Sequence, residues 1–418
     1  MRVLVIGQGG REHALATAFK SSGSSVFVLP GNAGMQKDAA LIAADWRDFS
    51  AVTQVCRSHE IDFVFIGPED PLVLGLADHL RQQNIFVIGP ESQAAMLEGS
   101  KIFAKEFMQA AGVSTSHFRV VKSVEDCRLI LAEFTPPYVL KADGLAAGKG
   151  VVICKTEQDL FQAARDFFER KILGPAGERA VLEQFSPGWE LSLIIATNGK
   201  AYCEFPIAQD HKRLKENDEG PNTGGLGTVA PVQISNSLRA EIKRIIIDPT
   251  LNEIQKRHWN FRGLVFFGIM VTPQGPSLLE YNCRFGDPET QVILPLIKNS
   301  ATQFFWRLAH GEIEKLEILP NTSAACVVLA AQGYPECPRR NDLIQLSTQE
   351  SAEKYYIFSG VTQSLGEFQT AGGRVLGCVG IGENAQQALN RAYEMAQETH
   401  FNGMQFRNDI GAKIPSAN

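Results

Sequence analysis

From the first residue to Gly89, short apolar runs alternate with amphipathic stretches. RVLVIG, VFVLP, IDFVFIG and IFVIG are rich in β-branched and aromatic residues and read as strands. Between them, DFSAVTQVCRSHE and PLVLGLADHLRQQ space their apolar residues as one face of a helix does. Such alternation predicts a parallel α/β domain, whose ligands sit beyond the carboxyl ends of the strands. GQGGREH, PGNAG and GPEDP occupy those ends.

The pattern turns helical from Glu91 to Gly112, where the glycine is placed to stop it. FRVV, a helix over Ser123 to Glu133, YVLKADG, VVICK, the helix EQDLFQAARDFFER and AVLEQF then form a compact unit with a glycine-rich loop between two strands. From Leu191 to Lys315 come further strands, a polar stretch, a long helix over Ser237 to His258, and GLVFFGIMV and SLLEYNCRF joined by the turn PQG. Beyond Asn321, ACVVLAAQGYP, GGRVLGCVGIG and the helix AQQALNRAYEMAQE predict a small α+β cap. The expected organisation is an N-terminal α/β domain over 1–100, a central region over 101–320 with a small subdomain inserted at 118–187, and a C-terminal α+β domain over 321–418.

The length of 418 residues calls for more than one compact core. With 44% apolar and 21% charged residues the chain reads as folded and globular, which excludes disordered and fibrous classes. A net charge of -6 without a dense Lys/Arg block argues against nucleic acid as a partner. No apolar run reaches the ~18 residues of a membrane span, and the opening MRVLVIGQGGREHAL lacks the basic start of a signal peptide. Eight scattered cysteines without a C-x-x-C pair fit reduced, buried thiols, neither disulfides nor zinc ligands. The expectation is a cytoplasmic protein.

Four segments carry candidate chemistry. In GQGGREH the amides of Gly9, Gly10 and Arg11 open a helix and point toward any docked anion. The dinucleotide fingerprint is incomplete there, because Glu12 takes the place of its last glycine. In KADGLAAGKGVVI, Lys141 and Lys149 flank a loop containing Gly144 and Gly148 that can wrap a triphosphate; it departs from a Walker A loop in spacing and lacks its Ser or Thr. LEQFSPGWELS offers a strand edge for a base and Glu190 for ribose hydroxyls. In LLEYNCRFGDPETQ, Glu280 and Asn282 share one face of a strand as hard oxygen donors for Mg²⁺, with Arg284 beside them to stabilise a transferring phosphoryl group. The polar stretch from Gln209 to Pro231 is too long for a simple hairpin, and Asp210, His211, Lys212 and Arg213 in it offer charged contacts to a polar substrate.

These segments together resemble one family, glycinamide ribonucleotide synthetase or phosphoribosylamine-glycine ligase, of the ATP-grasp superfamily. The likeness spans nearly the whole chain and rests on GGREHAL, PGNAG, GPEDPLV, LEGSK, KADGLAAGKGV, DHKR, GPNTGGLG, EYNCRFGDPETQ and GGRVL in the family's order. It implies a pre-ATP-grasp N-terminal domain, an ATP-grasp core with a small ATP-clamping subdomain, and a C-terminal cap. The implied reaction joins glycine to 5-phosphoribosylamine through a glycyl phosphate, with ATP and Mg²⁺ or Mn²⁺, in purine biosynthesis. By the same resemblance Lys101, Lys105 and Lys141 would touch ATP phosphates, Glu183, Gln184 and Phe185 would hold adenine, and Glu190 the ribose. Glu280 and Asn282 would bind the metal, and Arg284, Lys141 and Asn282 would serve catalysis. Gly9, Gly10, Glu69, Asp70, Asp210, His211, Lys212, Arg213, Gly225, Asp287 and Glu289 would line the substrate pocket. A monomer is implied. Gln184 and Trp189 depart from the family's acidic residues at those positions. The rival readings are another ATP-grasp ligase and a non-catalytic nucleotide-binding protein; the latter would lack Glu280, Asn282, Arg284 or Lys141, and all four are present.

Overall fold

The computed structural model describes residues 1–145, 150–346 and 349–413. Its first part is a five-stranded parallel sheet of Arg2–Gly7, Ser25–Pro30, Ala40–Leu41, Phe63–Ile66 and Val87–Ile88, in the spatial order third, second, first, fourth, fifth. Leu4, Ile6, Val64 and Ile66 pack into one core on one face, while Val3, Val5, Phe63 and Phe65 pack into another on the opposite face. Burial on both faces is why these strands read as continuous apolar runs and not as alternating ones.

The strand order reverses between the first and fourth strands, which opens a crevice at their carboxyl ends. The Glu12 side chain fills it. A Cβ on Gly67 would lie 2.2 Å from Glu12 Oε1, and one on Gly7 would lie 2.5 Å from Glu12 Cγ, so both glycines are required by close approach. Glu12 Oε2 accepts the Gly9 N–H at 2.7 Å and caps the helix Gly10–Ser21 from within.

Helices Ser92–Gly99 and Lys101–Ala111 follow, broken at Ser100, whose hydroxyl accepts the Phe103 N–H and donates to Asp143 at 2.5 Å. Gly112, at φ +71°, closes the second helix in the left-handed conformation that glycine adopts without strain. Next comes a four-stranded antiparallel sheet in the order Phe118–Val121, Ala180–Gln184, Tyr138–Ala142, Val151–Cys154. Helices Val124–Ile130 and Glu157–Phe168 cover it, and Cys127, Tyr138, Leu140, Leu160, Phe167 and Leu182 give it a core of its own.

A second antiparallel sheet has the order Tyr202–Glu204, Trp189–Thr197, Gly263–Thr272, Gly275–Asn282. Leu191, Val265, Phe267 and Ile269 from it join the core of Leu4 and Ile6, so this sheet and the N-terminal sheet are not independent. The helix expected over Ser237 to His258 is interrupted: Asn236–Ile242 and Asp248–Lys256 are joined by a wider turn over Lys243–Ile247. Pro249 has no N–H for the Ile245 carbonyl, which instead accepts the Ser114 N–H at 3.1 Å.

The last sheet has the order Gln209–Asp210, Gly227–Ala230, Ser323–Ala330, Arg374–Gly382, Lys354–Phe358, with helix Ala385–Glu398 against its long strands. Two of its strands thus come from the polar stretch before Pro231, far ahead of the segment expected to form the cap. Between them a hairpin of Arg213–Lys215 and Glu219–Asn222 projects from the sheet. Six of the eight cysteines are buried and all eight are free. No helix of the described residues is long and apolar enough to cross a membrane.

The filled crevice gives a direct test. Gly67→Ala is expected to lower stability by about 1–3 kcal/mol through overpacking against Glu12, read by chemical denaturation. A variant as stable as the parent would mean that Glu12 does not occupy the space.

Candidate active site

A cleft of about 800 Å³ runs between the two antiparallel sheets and on to the ends of the N-terminal and C-terminal sheets. Every unit contributes to its wall: Arg11 and Glu69 from the first, Lys141 and Phe185 from the small sheet, Glu280 and Arg284 from the large one, Arg374 from the last. Val139, Ile153, Phe185, Met270 and Leu279 give one end an apolar lining.

Along the strand Gly275–Asn282, alternation sends Tyr281 into the core, where its hydroxyl meets Thr250 at 2.7 Å, and turns Glu280 and Asn282 to the cleft. Lys101 Nζ lies 3.1 Å from Glu280 Oε2 and Lys212 Nζ lies 3.7 Å from Glu280 Oε1. Lys212 also bonds Glu190. Gly268 faces both glutamates, and a Cβ there would stand 3.3 Å from Glu280 and 3.6 Å from Glu190. Lys101 first, then Lys212 and Lys141 against the effect of burial, hold the Glu280 carboxyl well below the usual carboxylate range. Burial opposes the charges of Lys101 and Lys212, but the facing glutamates outweigh it and both lysines titrate above the usual range.

Beneath this lies a triad of one carboxylate and two lysines. Glu183, 2% exposed, meets Lys105 at 3.0 Å with one oxygen and Lys141 at 2.9 Å with the other. Lys105 also donates to the Thr115 hydroxyl at 2.7 Å. Burial pulls Lys105 down to about 8 against the attraction of Glu183, with Lys141 adding repulsion. Both oxygens of the Glu183 carboxylate thus meet lysines, at the wall of the cleft. Gln184 turns its amide to the Thr135 backbone, accepting from N at 2.9 Å and donating to O at 2.9 Å. The segment lines the cleft from Glu183 through Ser186.

At the other end arginines alternate with carboxylates. Arg284 reaches Glu98 at 2.6 Å and Glu69 at 3.4 Å, and Glu98 also accepts the Cys283 N–H at 2.8 Å. Arg11 pairs with Glu12 at 2.5 Å and donates to the Phe285 carbonyl at 3.1 Å. Arg374 meets Asp287 at 3.0 Å, and Gln291 donates to Asp287 at 2.7 Å. Burial works against the ionised Glu69, but Arg284 and Arg11 hold its carboxyl at about 2. Asp287 is lowered in the same way, by Arg374 and Arg11 against burial. Asp210 lacks such a partner: burial, then the charge of Glu289, pushes it well above the carboxylate range. Burial likewise raises Glu289, to which the Ser192 hydroxyl donates at 2.8 Å.

Several expected site residues stand elsewhere. The anion site expected at the amides of Gly9 and Gly10 is corrected: Glu12 takes the Gly9 N–H, and Gly10 is packed so that a Cβ would lie 2.6 Å from Gln291 and Ser359. Asp70 is exposed in the first turn of helix Glu69–Val73 and does not line the cleft. Both ring nitrogens of His211 are taken by main chain, Nδ1 by the Gly227 carbonyl at 3.1 Å and Nε2 by the Gly411 N–H at 3.1 Å. That tautomer is neutral, in keeping with a ring that burial and Arg407 push below the usual histidine range. Gly225, at φ +105°, makes room for Asp210, whose Oδ1 would lie 2.6 Å from a Cβ there. Arg213 sits on the rim and donates to the Gly220 carbonyl at 2.7 Å. Gly144 lines the cleft, whereas Gly148 and Lys149 lie outside the described residues.

Sequence reasoning passed over Glu98, Arg374 and the Arg11 side chain. The first two sit inside LEGSK and GGRVL, but nothing local distinguishes a buried ion-pair partner from a surface charge.

Two antiparallel sheets gripping a lysine-lined cleft beside a parallel α/β domain define an ATP-grasp ligase. Models of the phosphoribosylglycinamide synthetase N domain, ATP-grasp (A) domain and C domain match residues 1–98, 99–290 and 324–413. The chain belongs to the phosphoribosylglycinamide synthetase family. Phosphoribosylamine–glycine ligase of Agrobacterium fabrum is 39% identical over 98% of both chains. The trifunctional purine biosynthetic protein adenosine-3 of Bos taurus is 41% identical over 98% of this chain, which spans only 42% of that protein. A crystal structure of phosphoribosylamine–glycine ligase from Thermotoga maritima superimposes with a TM-score of 0.87 at 35% identity, covering 98% of this chain and 100% of that one.

The depressed Glu69 carboxyl makes stability pH-dependent. Its contribution is fully present above the ordinary carboxylate value and is lost as pH falls toward about 2. Glu69→Gln is therefore expected to lose less stability than the parent between pH 4.5 and 2.5, read by denaturant titration at each pH. Parallel losses in the two proteins would remove Glu69 from the arginine network.

Proposed function

We propose that the chain joins glycine to 5-phosphoribosylamine, giving glycinamide ribonucleotide, ADP and phosphate through a glycyl phosphate. The observation that carries this reading is one cleft in which a lysine cluster suited to phosphates adjoins a ring of arginines and carboxylates suited to a zwitterion and an amine. The enzyme acts as a monomer in the cytoplasm.

Adenine occupies the apolar end, with Glu190 at the ribose hydroxyls. Lys101 and Lys141 turn to the phosphates, and Lys212, held beside Glu190 and Glu280, offers its charge to the substrate. Glu280 and Asn282 fit a magnesium or manganese ion. They are hard oxygen donors on one face of one strand, Glu280 is held ionised, and two protein donors leave positions for phosphate oxygens and water. When bound, such an ion neutralises charge between the phosphates.

Arg284, anchored by Glu98, directs its charge to the γ-phosphoryl group as the glycine carboxylate attacks it and the bond to ADP breaks. The amine of phosphoribosylamine then attacks the glycyl carbonyl, and phosphate leaves. Asp210 and Glu289, both raised chiefly by burial, stand in the cleft wall as the carboxylates placed to receive the proton that the amine releases.

Phosphate release from ATP and Mg²⁺ is expected only when glycine and freshly generated phosphoribosylamine are both present, with glycinamide ribonucleotide identified by mass. Turnover with a different carboxylate and amine, and none with this pair, would keep the ligase chemistry and reject these substrates. Arg284→Lys keeps a partner for buried Glu98 and so preserves the fold better than alanine. It is expected to lower kcat by about 10²–10³ with ATP affinity little changed; equal loss of both would reject the role. Glu280→Gln is expected to raise the Mg²⁺ concentration needed for half-maximal activity, and an unchanged requirement would remove Glu280 from the metal site.

A further inference from the structure

The hairpin over Arg213–Lys215 and Glu219–Asn222 lines the cleft through Arg213, Asp218 and Asn222, yet its own two strands share a short, irregular ladder. Such a hairpin is marginal alone. What holds it is a segment from the far end of the chain. Arg407, 1% exposed, uses its whole guanidinium fork: Nε and one terminal nitrogen grip the two oxygens of Asp409 at 2.7 and 2.8 Å. The other terminal nitrogen donates to the Arg213 carbonyl at 3.1 Å and to Asp218 at 2.9 Å. Asp409 in turn accepts the Asn217 N–H at 2.9 Å, and Asn408 donates to Glu216 at 2.8 Å. Lys413 reaches the second oxygen of Asp218 at 2.6 Å, and the Gly411 N–H is accepted by His211 Nε2 at 3.1 Å.

Two of these contacts fall on His211 and Arg213, the residues on either side of Lys212. We infer that residues 407–413 form a latch, and that Arg407 is a positioning residue which, by holding Arg213 and Asp218 while Gly411 meets His211, sets the place of the Lys212 ammonium against Glu190 and Glu280. The mechanism leaves all of these C-terminal contacts unused, although they include a fully buried arginine. A bidentate pairing with a carboxylate fixes direction as well as distance, which a lysine at 407 could not do. The inference rests on the reading of Lys212 as a working residue of the cleft.

The test is a double-mutant cycle on the full chain, with retention of fold checked by circular dichroism. Arg407→Gln is expected to lower kcat/KM for the ligation at least tenfold. Lys212→Ala is expected to cost a much smaller factor in the Arg407→Gln background than in the parent, because the ammonium is already displaced. A purely stabilising role would leave the factor for Lys212→Ala the same in both backgrounds, and that result, or kinetics of folded Arg407→Gln within twofold of the parent, overturns the latch. If Arg407→Gln does not fold, Asp409→Asn enters the cycle under the same criteria. Amide hydrogen exchange reads the latch without substrates: Asn217 and Thr223, whose N–H donates to the Lys212 carbonyl at 2.7 Å, are expected to exchange at least tenfold faster in the variant, and unchanged exchange overturns the proposal. An inactive parent with faster exchange in the variant would count against the proposed reaction and leave the latch standing.

Discussion

Buried charge governs this molecule, and at the heart of the cleft it is tolerable because the groups are paired. Glu183 is enclosed with an ammonium at each oxygen, Glu280 lies between Lys101 and Lys212, and Arg284 lies between Glu98 and Glu69. An isolated ion at any of these places would carry a desolvation penalty of several kcal/mol. Mutual compensation removes most of it and leaves a cleft of preorganised charge in which lysines are already aimed at places where phosphates can replace carboxylates. The same economy explains why the pKa directions diverge: at Glu69 and Glu280 the nearby cations outweigh burial and the carboxyls fall, while at Asp210 and Glu289 burial prevails and they rise.

The scaffold makes such pairing possible by sharing its cores. The N-terminal parallel sheet and the large antiparallel sheet pack into common clusters, and the C-terminal sheet takes strands Gln209–Asp210 and Gly227–Ala230 from the middle of the chain. Arg11, Glu98, Arg284 and Arg374, which come from four distant segments, are thereby held within one wall. The small sheet differs, having its own core and bearing Lys141 on a strand that faces the cleft.

Glu12 shows how one residue redirects a fold. A parallel sheet with this strand order has a crevice at its switch point, where a dinucleotide phosphate can bind on helix amides. Here the carboxylate of Glu12 fills that crevice, satisfies Gly9 and pairs with Arg11. The fingerprint fails at Glu12 because its last position has been given to an internal anion.

The sequence pattern by itself determined four of the five strands of the parallel sheet, the helix Ala385–Glu398, the alternation that turns Glu280 and Asn282 one way and Tyr281 the other, and the membership of a family through ordered motifs. These are local properties, legible wherever a side chain's direction follows from its neighbours' spacing. The tertiary structure decided the rest: that Glu183 meets two lysines, that His211 is tied to main chain, that Asp70 lies outside the cleft, and that Glu98, Arg374 and Arg407 matter at all. Each depends on partners that only folding brings together or on burial that packing alone creates. A charged residue looks the same in sequence whether it meets water or an opposite charge, and only the folded chain supplies that difference.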